Sequence, residues 1–581
     1  MSVRAAATGA APAPGPRPPE RPRDPEPAIG RRAALVLLGA ILAGALALRL
    51  WNLDHGLPFA YNADEAEHFV PRAVRMLRGG LDPGYYENPS ALTYLLYLVF
   101  KVRFTAGFPF GGARDFGRGF AADPEAGFLT ARVAVALIGT LVVGLAYWAG
   151  ARFYERRAGL VAAALMAVAF LPVFYSKHAL NDVVALAPLT IGLVGSLLAY
   201  ERGRWFDWAL AGAAIGAATA TKYTAAAMLL TVAVAAGLRI ERAYSSSPSA
   251  ATSTGDRAQL RRALAGLAVA AAACAVVFAL LNPYAILNLH EAGSQIRGQS
   301  RQADSGKLGQ DDVRGWLYYV GTLGWGFGWV PLVAAIGGAV VALRRDWRRA
   351  LLLVAFPLLF YLYMGAQARF FGRWLLPAYP ALCVLAGYGV VALADAVARR
   401  PRPAGAVVVG LAVLACFQGL SAAVHVDAVL GRTDTRAQAL RWIDANVPAG
   451  APLVVEPFVP KSWRRALDRP VYPVRRPFQA YEKRLRVRRI ERYRRQGYCW
   501  VVVGSTQKQR GLKAGLRSSR NYYRALDAAT ERKVAFSPYA PGADPVEFSY
   551  DASFNYRPRA YERPGPVVEV QRLRDCAPRL G

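Results

Sequence analysis

Long apolar stretches recur along this chain, and each is about as long as a membrane-spanning helix. A helix needs roughly 20 apolar residues to cross the hydrocarbon core, so a chain that repeats such stretches is not an ordinary soluble protein. The sequence therefore predicts a polytopic α-helical membrane protein with about 11 transmembrane helices. The stretches lie near 33–50, 128–149, 158–175, 180–200, 206–221, 223–238, 263–281, 316–343, 350–365, 374–397 and 404–422.

The basic residues indicate which side of the membrane each connection occupies. The formal net charge is +32, but arginines cluster between apolar stretches, as at Arg344-Arg345 and Arg399-Arg400. This is the pattern of cytoplasmic loops under the positive-inside rule, and no nucleic-acid partner is predicted. It places the N-terminus in the cytoplasm and, because the number of spans is odd, the C-terminus outside. The heavy use of Arg, Ala and Gly indicates a bacterial protein, and hence a bacterial plasma membrane.

Composition divides the chain into three predicted regions. Residues 1–32, rich in Pro, Ala and Arg, predict a disordered cytoplasmic tail. Residues 33–422 form the transmembrane domain, whose first extracytoplasmic loop, 51–127, is too polar to span the membrane as a whole. Residues 423–581 predict a soluble extracytoplasmic α/β domain. Its expected elements are helices at 435–446 and 490–496 and strands at 452–455, 498–503 and 567–570.

The sequence does not decide the roles of two features of this predicted outer domain, a cysteine pair and a basic run. Cys499 and Cys576 can form a disulfide if the domain is extracytoplasmic. The basic run from Arg484 to Arg495 suits acidic lipid headgroups or an anionic substrate, and it equally suits a plain solvated surface.

Two helices are predicted in the first outer loop. Asp64 to Leu77 has the amphipathic spacing of a helix that lies in the bilayer interface. Ser90 to Phe100 is apolar but too short to cross, which favours a re-entrant or interfacial helix. Further along, Lys222 interrupts the apolar region 206–238. Two short spans are preferred there, because a single span would reverse the charge bias of every later loop.

Two outer clusters each combine a carboxylate with an imidazole. Asp64 and His68 are four residues apart, as are His178 and Asp182, so a helix would place each pair on one face. Such clusters can activate a hydroxyl by general-base action, or bind a divalent cation with Asp64 and Asp182 as candidate ligands. The sequence defines no common ligand geometry, so no cofactor is assigned.

Three basic residues near the predicted outer face are candidates for binding an anion. Lys222 lies between two apolar helices, where a charge costs about 2.5–3.5 kcal/mol at the bilayer centre. The alternative is a lysine at a helix end that extends to the interface. Arg369 and Arg373 occupy an outer turn against the positive-inside trend, which suits a lipid phosphate, and anchoring at the interface explains them equally well.

Five short motifs, in a fixed order along the chain, resemble a known family. The order and the predicted side of the membrane are similar to those of the polyprenyl-phosphate-sugar-dependent GT-C glycosyltransferases. The group meant is the protein O-mannosyltransferase and aminoarabinose-transferase-like one (glycosyltransferase family 39-like), and the resemblance covers residues 33–422. The motifs are Asp64-Glu65-Ala66-Glu67, Tyr86-Glu87-Asn88-Pro89-Ser90, Asn181-Asp182, Thr221-Lys222-Tyr223 and Arg373-Trp374-Leu375-Leu376-Pro377-Ala378-Tyr379-Pro380.

The resemblance implies an extracytoplasmic, inverting hexosyl- or pentosyltransferase. Its donor would be a polyprenyl-monophosphate sugar, and its acceptor a hydroxyl of a protein, a lipid or a cell-envelope glycan. Asp64 matches the catalytic aspartate, and Asp182 matches a second acidic position in the same cavity. Lys222 matches a phosphate-proximal lysine and Arg373 a helper, whereas Asn88 stands where close relatives have lysine. The remaining candidates are Arg369 for the phosphate, and Glu65, Glu87, His68, His178 and Asn181 for substrate binding or support.

Two other functions stay open. A lipid-linked sugar flippase or transporter would favour internal repeats and charges deep within the spans, whereas these candidates gather on one face. A scaffold for cell-envelope assembly, with no activity, is the third hypothesis, and the combination of Asp64, Asp182 and Lys222 argues against it. The sequence identifies neither the sugar, the acceptor nor the oligomeric state.

Overall fold

The computed structural model describes residues 29–105, 112–245, 254–310, 312–398, 401–474 and 478–578. The predictions for most of the tail at 1–32 and for Arg399-Arg400 lie outside the described residues. The described chain is mainly helical, with a four-stranded sheet in its C-terminal region.

Nine helical segments within the described ranges are long and apolar enough to cross a membrane. They confirm the predicted fold class, a polytopic helical membrane protein. They are built from Arg31–Leu50; Glu125–Phe153; Asn181–Val184 with Leu186–Glu201; the 3-10 helix Tyr223–Met228 with Leu229–Ser245; Thr254–Leu281; Gly315–Leu323, the π-helix Gly324–Gly328 and Trp329–Arg345; Trp347–Gly365; the 3-10 helix Gly372–Ala378 with Tyr379–Val397; and Pro401–Leu430.

Two further predicted spans are helical but shorter. Every predicted span is therefore helical, whereas the number that crosses the bilayer stays a prediction. The region 206–238 has two helices, as expected, because the backbone becomes extended at Lys222 (φ −150°, ψ 114°). The shorter segments are Arg156–Val168 with Phe170–Tyr175, and Trp205–Thr221.

The first outer loop contains both predicted helices. The one expected at 64–77 begins as a π-helical turn directly after Asp64, and its apolar residues Val70 and Ala73 are buried. An amphipathic helix in a later loop, Leu289–Ala303, was not predicted. The helices of these two loops are the π-helix Glu65–Phe69, then Val70–Arg78, Ala91–Thr105, Ala113–Gly119, Pro283–Leu287 and Leu289–Ala303.

Close packing of two membrane helices positions Lys222. Trp205–Thr221 lies against Thr254–Leu281, and a side chain at Gly212 would meet the carbonyl oxygen of Ala270 at 1.9 Å. Because only glycine allows this approach, the two backbones are in direct contact. The helix end that carries Lys222 is therefore held in one place.

A four-stranded mixed sheet forms the centre of the C-terminal region. Strands β1 (Leu453–Val455), β2 (Trp500–Gly504), β3 (Thr530–Phe536) and β4 (Val568–Leu573) follow the order β1-β2-β4-β3. β1 and β2 are parallel, and the other pairs are antiparallel. β3 was not predicted, because it is an edge strand whose residues are mostly exposed and partly charged. The accompanying helices are Thr435–Asn446, Lys461–Arg465, Phe478–Lys483, Arg488–Arg495, Ser505–Lys513, Arg517–Ala528 and the 3-10 helix Phe554–Tyr556.

The other expected elements of this region are present. The helix Thr435–Asn446 has the predicted bounds, and Cys499 is disulfide-bonded to Cys576. The last membrane helix runs to Leu430. The division of the chain between 422 and 423, and the location of this region outside the membrane, stay predictions.

Candidate active site

Asp64 is paired with Arg373 at the ends of the membrane helices that the sequence predicts to face outwards. The Nη2 atom of Arg373 donates a hydrogen bond to Asp64 Oδ2 over 2.7 Å, although the two residues lie 309 positions apart. Asn62 orients the Asp64 backbone, since its Oδ1 atom accepts a hydrogen bond from the Asp64 amide over 3.1 Å. Burial acts to raise the pKa of Asp64, but nearby positive groups, Arg373 first among them, outweigh it and lower the pKa. Asp64 is therefore an ionised carboxylate at neutral pH.

Lys222 and Asp182 form a second ion pair, in which Lys222 Nζ donates to Asp182 Oδ1. Both side chains are mostly buried, with exposed fractions of 11% and 4%. Lys222 ends one helix and Asp182 lies in the short helix Asn181–Val184. Because a buried charge without a partner is costly, each of the two residues accounts for the burial of the other.

The two ion pairs belong to one site. Arg373 interacts electrostatically with both Asp64 and Asp182, and Lys222 interacts with Arg373 and Asp64. The four residues come from four separate segments of the chain. The structure therefore brings together the two acids and two of the bases that the sequence singled out.

Asn181 connects the segments that carry the second ion pair. Its Nδ2 atom donates to the carbonyl oxygen of Thr221 over 2.8 Å, which ties the short helix of Asp182 to the residue before Lys222. The same amide lies 3.4 Å from Asn88 Oδ1, in the first outer loop. Asn181 therefore links these segments, and its role in substrate binding or support stays a prediction.

Asn88 and Glu87 lie on the first-loop side of the site. Asn88 Nδ2 donates to the hydroxyl oxygen of Tyr85 over 2.7 Å, so this amide contacts a neutral partner. Glu87 is half-buried and interacts electrostatically with Arg72 and Tyr85. A substrate contact for Glu87 stays a prediction.

Glu65 directly follows Asp64 but faces the protein interior. It is fully buried, and Arg132 binds both its oxygens, with Nε donating to Oε1 over 2.8 Å and Nη2 donating to Oε2 over 2.9 Å. Its Oε1 atom also accepts the amide of Ala179 over 3.0 Å. Glu65 therefore joins the first outer loop to a membrane helix and to the turn before Asp182, and its supporting role is a structural one.

The expected helical pairing of His178 with Asp182 is wrong. Leu180 is extended (φ −121°, ψ 157°), so His178 and Asp182 do not share a helical face. One ring nitrogen of His178 lies 3.1 Å from the carbonyl oxygen of Phe174, and the other lies 3.4 Å from His55 Nε2. Burial lowers the pKa of His178 to about 4, so its ring is neutral at neutral pH.

His68 follows Asp64 through a π-helical turn, and not through the α-helical turn that the spacing predicted. Its ring stacks on Tyr85 with the ring centres 4.6 Å apart. His68 still interacts electrostatically with Asp64. His68 therefore lies near Asp64, as predicted, but the shape of the loop brings the two together and they do not share an α-helical face.

Arg369 lies against the end of an outer helix. Its amide donates to the carbonyl oxygen of Ala303 over 3.0 Å, and its Nη1 atom donates to Gln302 Oε1 over 3.2 Å. These contacts tie the turn before Arg373 to the helix Leu289–Ala303. A phosphate contact for Arg369 stays a prediction.

Lys307 is a candidate that the sequence reasoning missed. Its Nζ atom lies 5.0 Å from the ring centre of Phe371 and 4.9 Å from that of Tyr550, and it interacts electrostatically with Asp64 and Arg373. Burial lowers the pKa of Lys307 to about 8. The sequence could have pointed to Lys307 because lysine is rare in this chain. Lysines make up only nine of the 71 basic residues, and Lys307 lies in a predicted outer loop.

The arrangement of donors does not fit a tightly bound metal ion. Among the residues that the structure describes, no group of three or more His, Cys, Asp or Glu side chains could hold one. The two candidate ligands, Asp64 and Asp182, are each neutralised by a basic side chain. A divalent cation would compete with Arg373 and Lys222 for only two carboxylates, whereas hard cations prefer several oxygen ligands.

The C-terminal region packs against the segments that carry the site. Asp551 Oδ2 accepts hydrogen bonds from the Tyr318 hydroxyl over 2.9 Å and from the Gly372 amide over 2.5 Å. The guanidinium group of Arg436 lies 3.4 Å from the ring centre of Tyr61, in the first outer loop. A cavity of about 320 Å³, lined by side chains of that loop and of the C-terminal region, lies between them.

Known proteins share parts of this architecture. Residues 125–249 match the family model of dolichyl-phosphate-mannose-protein mannosyltransferases. The structure is similar to that of apo ArnT from Cupriavidus metallidurans, with a TM-score of 0.51 and 16% identity over 94% of this chain and 98% of ArnT. It is also similar to the oligosaccharyltransferase AglB from Archaeoglobus fulgidus in complex with an inhibitory peptide and a dolichol-phosphate, with a TM-score of 0.50 and 14% identity over 87% of this chain and 73% of AglB. This chain has the GT-C fold.

The GT-C fold confirms the predicted resemblance to the protein O-mannosyltransferase and aminoarabinose-transferase-like group. The segment that matches the family model includes Asp182 and Lys222, and the match to ArnT extends over nearly the whole chain. No curated protein sequence matches this chain significantly.

Proposed function

We propose that this chain is an integral-membrane glycosyltransferase. It transfers a sugar from a polyprenyl-monophosphate donor to a hydroxyl acceptor, with inversion, on the extracytoplasmic side. The observation that carries the proposal is the meeting of the Asp64–Arg373 and Asp182–Lys222 ion pairs at the outer ends of the membrane helices. A site with cations for a phosphate and a carboxylate for a hydroxyl suits this reaction.

Lys222 and Arg373 supply the positive charge for the donor phosphate. As the bond between the anomeric carbon and the phosphate oxygen breaks, negative charge increases on the phosphate, and these cations stabilise it. AglB, which has a similar fold, was solved with a dolichol-phosphate, and this supports a lipid phosphate as the ligand here. Lys222 lies between two apolar helices, so the lipid chain can stay in the bilayer.

Asp64 activates the acceptor. The acceptor hydroxyl attacks the anomeric carbon from the side opposite the phosphate, and its proton passes to Asp64. The products are the inverted glycoside, a free polyprenyl phosphate and a protonated Asp64. Because the pKa of Asp64 is lowered, the carboxylate is ready to accept that proton at neutral pH. General-base action of this kind typically contributes about 10²–10⁴-fold to the rate.

Arg373 connects the two halves of the reaction. Its guanidinium group is bonded to Asp64, the same carboxylate that must receive the acceptor proton. A donor phosphate competes for this guanidinium group, and a shift of Arg373 towards the phosphate leaves Asp64 available to the acceptor. We therefore expect the donor to bind before the acceptor is activated.

The acceptor reaches the site from the 320 Å³ cavity under the C-terminal region. Ala63, the neighbour of Asp64, lines this cavity together with Tyr61, Asn62 and Tyr556. Aromatic rings and side-chain amides are suited to a sugar or a peptide, which are two of the acceptor classes that the resemblance implies.

A transfer assay tests the proposed function. The purified full-length protein is incubated with radiolabelled polyprenyl-phosphate mannose, arabinose or glucose, and bacterial envelope extract supplies the acceptor. We expect one donor to lose its label to the acceptor and to leave free polyprenyl phosphate. If correctly folded protein consumes none of these donors, the proposal is wrong.

The same donors distinguish a transferase from a transporter. Neither the family model nor the matched structures support the transporter hypothesis. In sealed proteoliposomes, a flippase moves the donor across the bilayer intact, whereas a transferase consumes it on one side. Movement of unreacted donor without any glycoside product would favour the transporter.

Raising the pH through about 8 should weaken the use of the donor, because Lys307 loses its charge there. Burial lowers the pKa of this lysine, so the ammonium form is present below pH 8 and is lost above it. We expect kcat/KM for the donor, which reports groups of the free enzyme, to fall above this pH.

Lys307→Arg should keep kcat/KM high at more alkaline pH, because arginine stays protonated there. Lys461→Arg is the matched control, since Lys461 is exposed, and it should keep the wild-type profile. A wild-type profile in Lys307→Arg would show that the charge of Lys307 does not affect the use of the donor.

A further inference from the structure

A second charged cavity lies on the C-terminal region, and all of its lining residues within the described ranges are arginines. Its volume is about 430 Å³. It shares no lining residue with the cavity under the C-terminal region, and neither Asp64 nor Arg373 lines it. We call it the basic cavity, and it is lined by Arg484, Arg486, Arg488, Arg489, Arg492 and Arg495.

An ordered platform carries these arginines. The helix Arg488–Arg495 buries Ile490 and Tyr493 in the core of the C-terminal region, so its opposite side faces outwards. In the preceding turn, Arg486 Nη1 donates to the carbonyl oxygens of Lys483 over 3.0 Å and Leu485 over 2.8 Å. These contacts keep one guanidinium group in place. The basic cavity is therefore a shaped surface and not a flexible basic run.

Within the part of the chain that the structure describes, no acidic side chain forms an ion pair with the arginines of the basic cavity. The carboxylate of the same helix, Glu491, pairs with Arg494, which does not line the cavity. Elsewhere in the region a basic residue such as Lys533 has a carboxylate partner, Glu569, at 2.7 Å. Like charges held close together repel each other, so an anionic ligand would stabilise this arrangement.

We propose that the basic cavity binds the phosphate groups of a soluble polyanionic chain. The planar guanidinium group matches the oxygens of a phosphate in pairs, and several arginines around one cavity can hold successive phosphates. An amphipathic helix binds a membrane through a wide apolar face beside its basic one. Ile490 and Tyr493 of this helix are instead buried in the protein, and Val487 is the one exposed apolar side chain among residues 484–495. This favours a soluble polyanion over a lipid surface.

A direct binding measurement tests the proposal independently of sugar transfer. The purified full-length protein is titrated into a short, fluorescently labelled linear polyphosphate, and anisotropy reports the Kd. The test variant removes three positive charges along one side of the helix, and the control removes three from exposed positions along Arg517–Ala528. The test variant is R488Q/R492Q/R495Q, and the control is R517Q/R520Q/R524Q.

We expect the Kd to rise about 30-fold or more in the test variant and less than about 3-fold in the control. The slope of log Kd against log salt should fall by roughly 2 to 3 in the test variant, because three phosphate contacts are lost. An equal loss of affinity in both variants would show attraction by net charge alone and would overturn the proposal.

Vesicles test the competing partner. If phosphatidylglycerol vesicles displace the labelled polyphosphate more strongly, per phosphate group, than unlabelled polyphosphate does, the cavity serves a lipid surface and the proposal is wrong. Sugar transfer is measured in the same variants and should stay at the wild-type rate. A failure of this proposal is thereby distinguished from a failure of the proposed transferase function.

Discussion

Replacing Asp64 with asparagine should lower the rate of sugar transfer about 10²- to 10⁴-fold while the protein stays folded. Asparagine has nearly the same size, but it cannot take the proton of the acceptor hydroxyl. The charge left without its partner is that of Arg373, whose side chain is 21% exposed and also interacts electrostatically with Asp182, so the protein should stay folded. The loss should fall on kcat, and the donor KM should not rise, because Arg373 is released for the phosphate.

The measurement is the transfer assay with donor and acceptor varied separately, together with a thermal unfolding curve. Asp54→Asn is the matched control, because Asp54 is an exposed carboxylate of the same outer loop, and it should keep the wild-type rate. A wild-type rate in Asp64→Asn would show that another group takes the acceptor proton.

Replacing the next residue, Glu65, with glutamine should affect the fold and not the chemistry. We expect it to lower the free energy of unfolding by about 3–5 kcal/mol. The Glu65 and Arg132 side chains are only 0% and 1% exposed, and the two form a bidentate ion pair. Without the carboxylate, the guanidinium group of Arg132 stays buried with its charge uncompensated. The protein should unfold at a lower temperature and be recovered in lower yield.

Thermal unfolding in detergent measures this effect. Glu125→Gln is the control, because Glu125 is exposed at the start of a helix, and it should change stability by less than about 1 kcal/mol. Removing both charges, as in Glu65→Gln/Arg132→Met, should recover part of the stability, since no unpaired charge then remains. A Glu65→Gln protein of wild-type stability that lost transfer would make Glu65 a chemical group of the site.

Patterns within single segments allowed much of the fold to be predicted. Apolar stretches gave every membrane helix, because the thickness of the bilayer sets the length of a span. The helix Thr435–Asn446 and three of the four strands were recognised from local periodicity. The edge strand β3 was missed, because its exposed and charged residues carry no apolar pattern.

The candidate site could be predicted only in part. Asp64, Asp182, Lys222 and Arg373 were singled out from the sequence, and they do meet. Their partners were not predictable, because the Asp64–Arg373 contact joins residues 309 positions apart. Lys307 was missed for a related reason, since its position between the rings of Phe371 and Tyr550 depends on three distant segments.

The sequence by itself determined that this chain is a multi-pass membrane protein with a set of charged residues between its spans, because spans and amphipathic turns depend on neighbouring residues. Only the tertiary structure decided what each charge does. Asp64 and Glu65 are adjacent acids with nearly the same local pattern, yet one lies at the site and the other is buried against Arg132. Helix packing and the direction of one π-helical turn place the two side chains in different surroundings. Both features depend on contacts between remote segments, and a local sequence pattern does not contain those contacts.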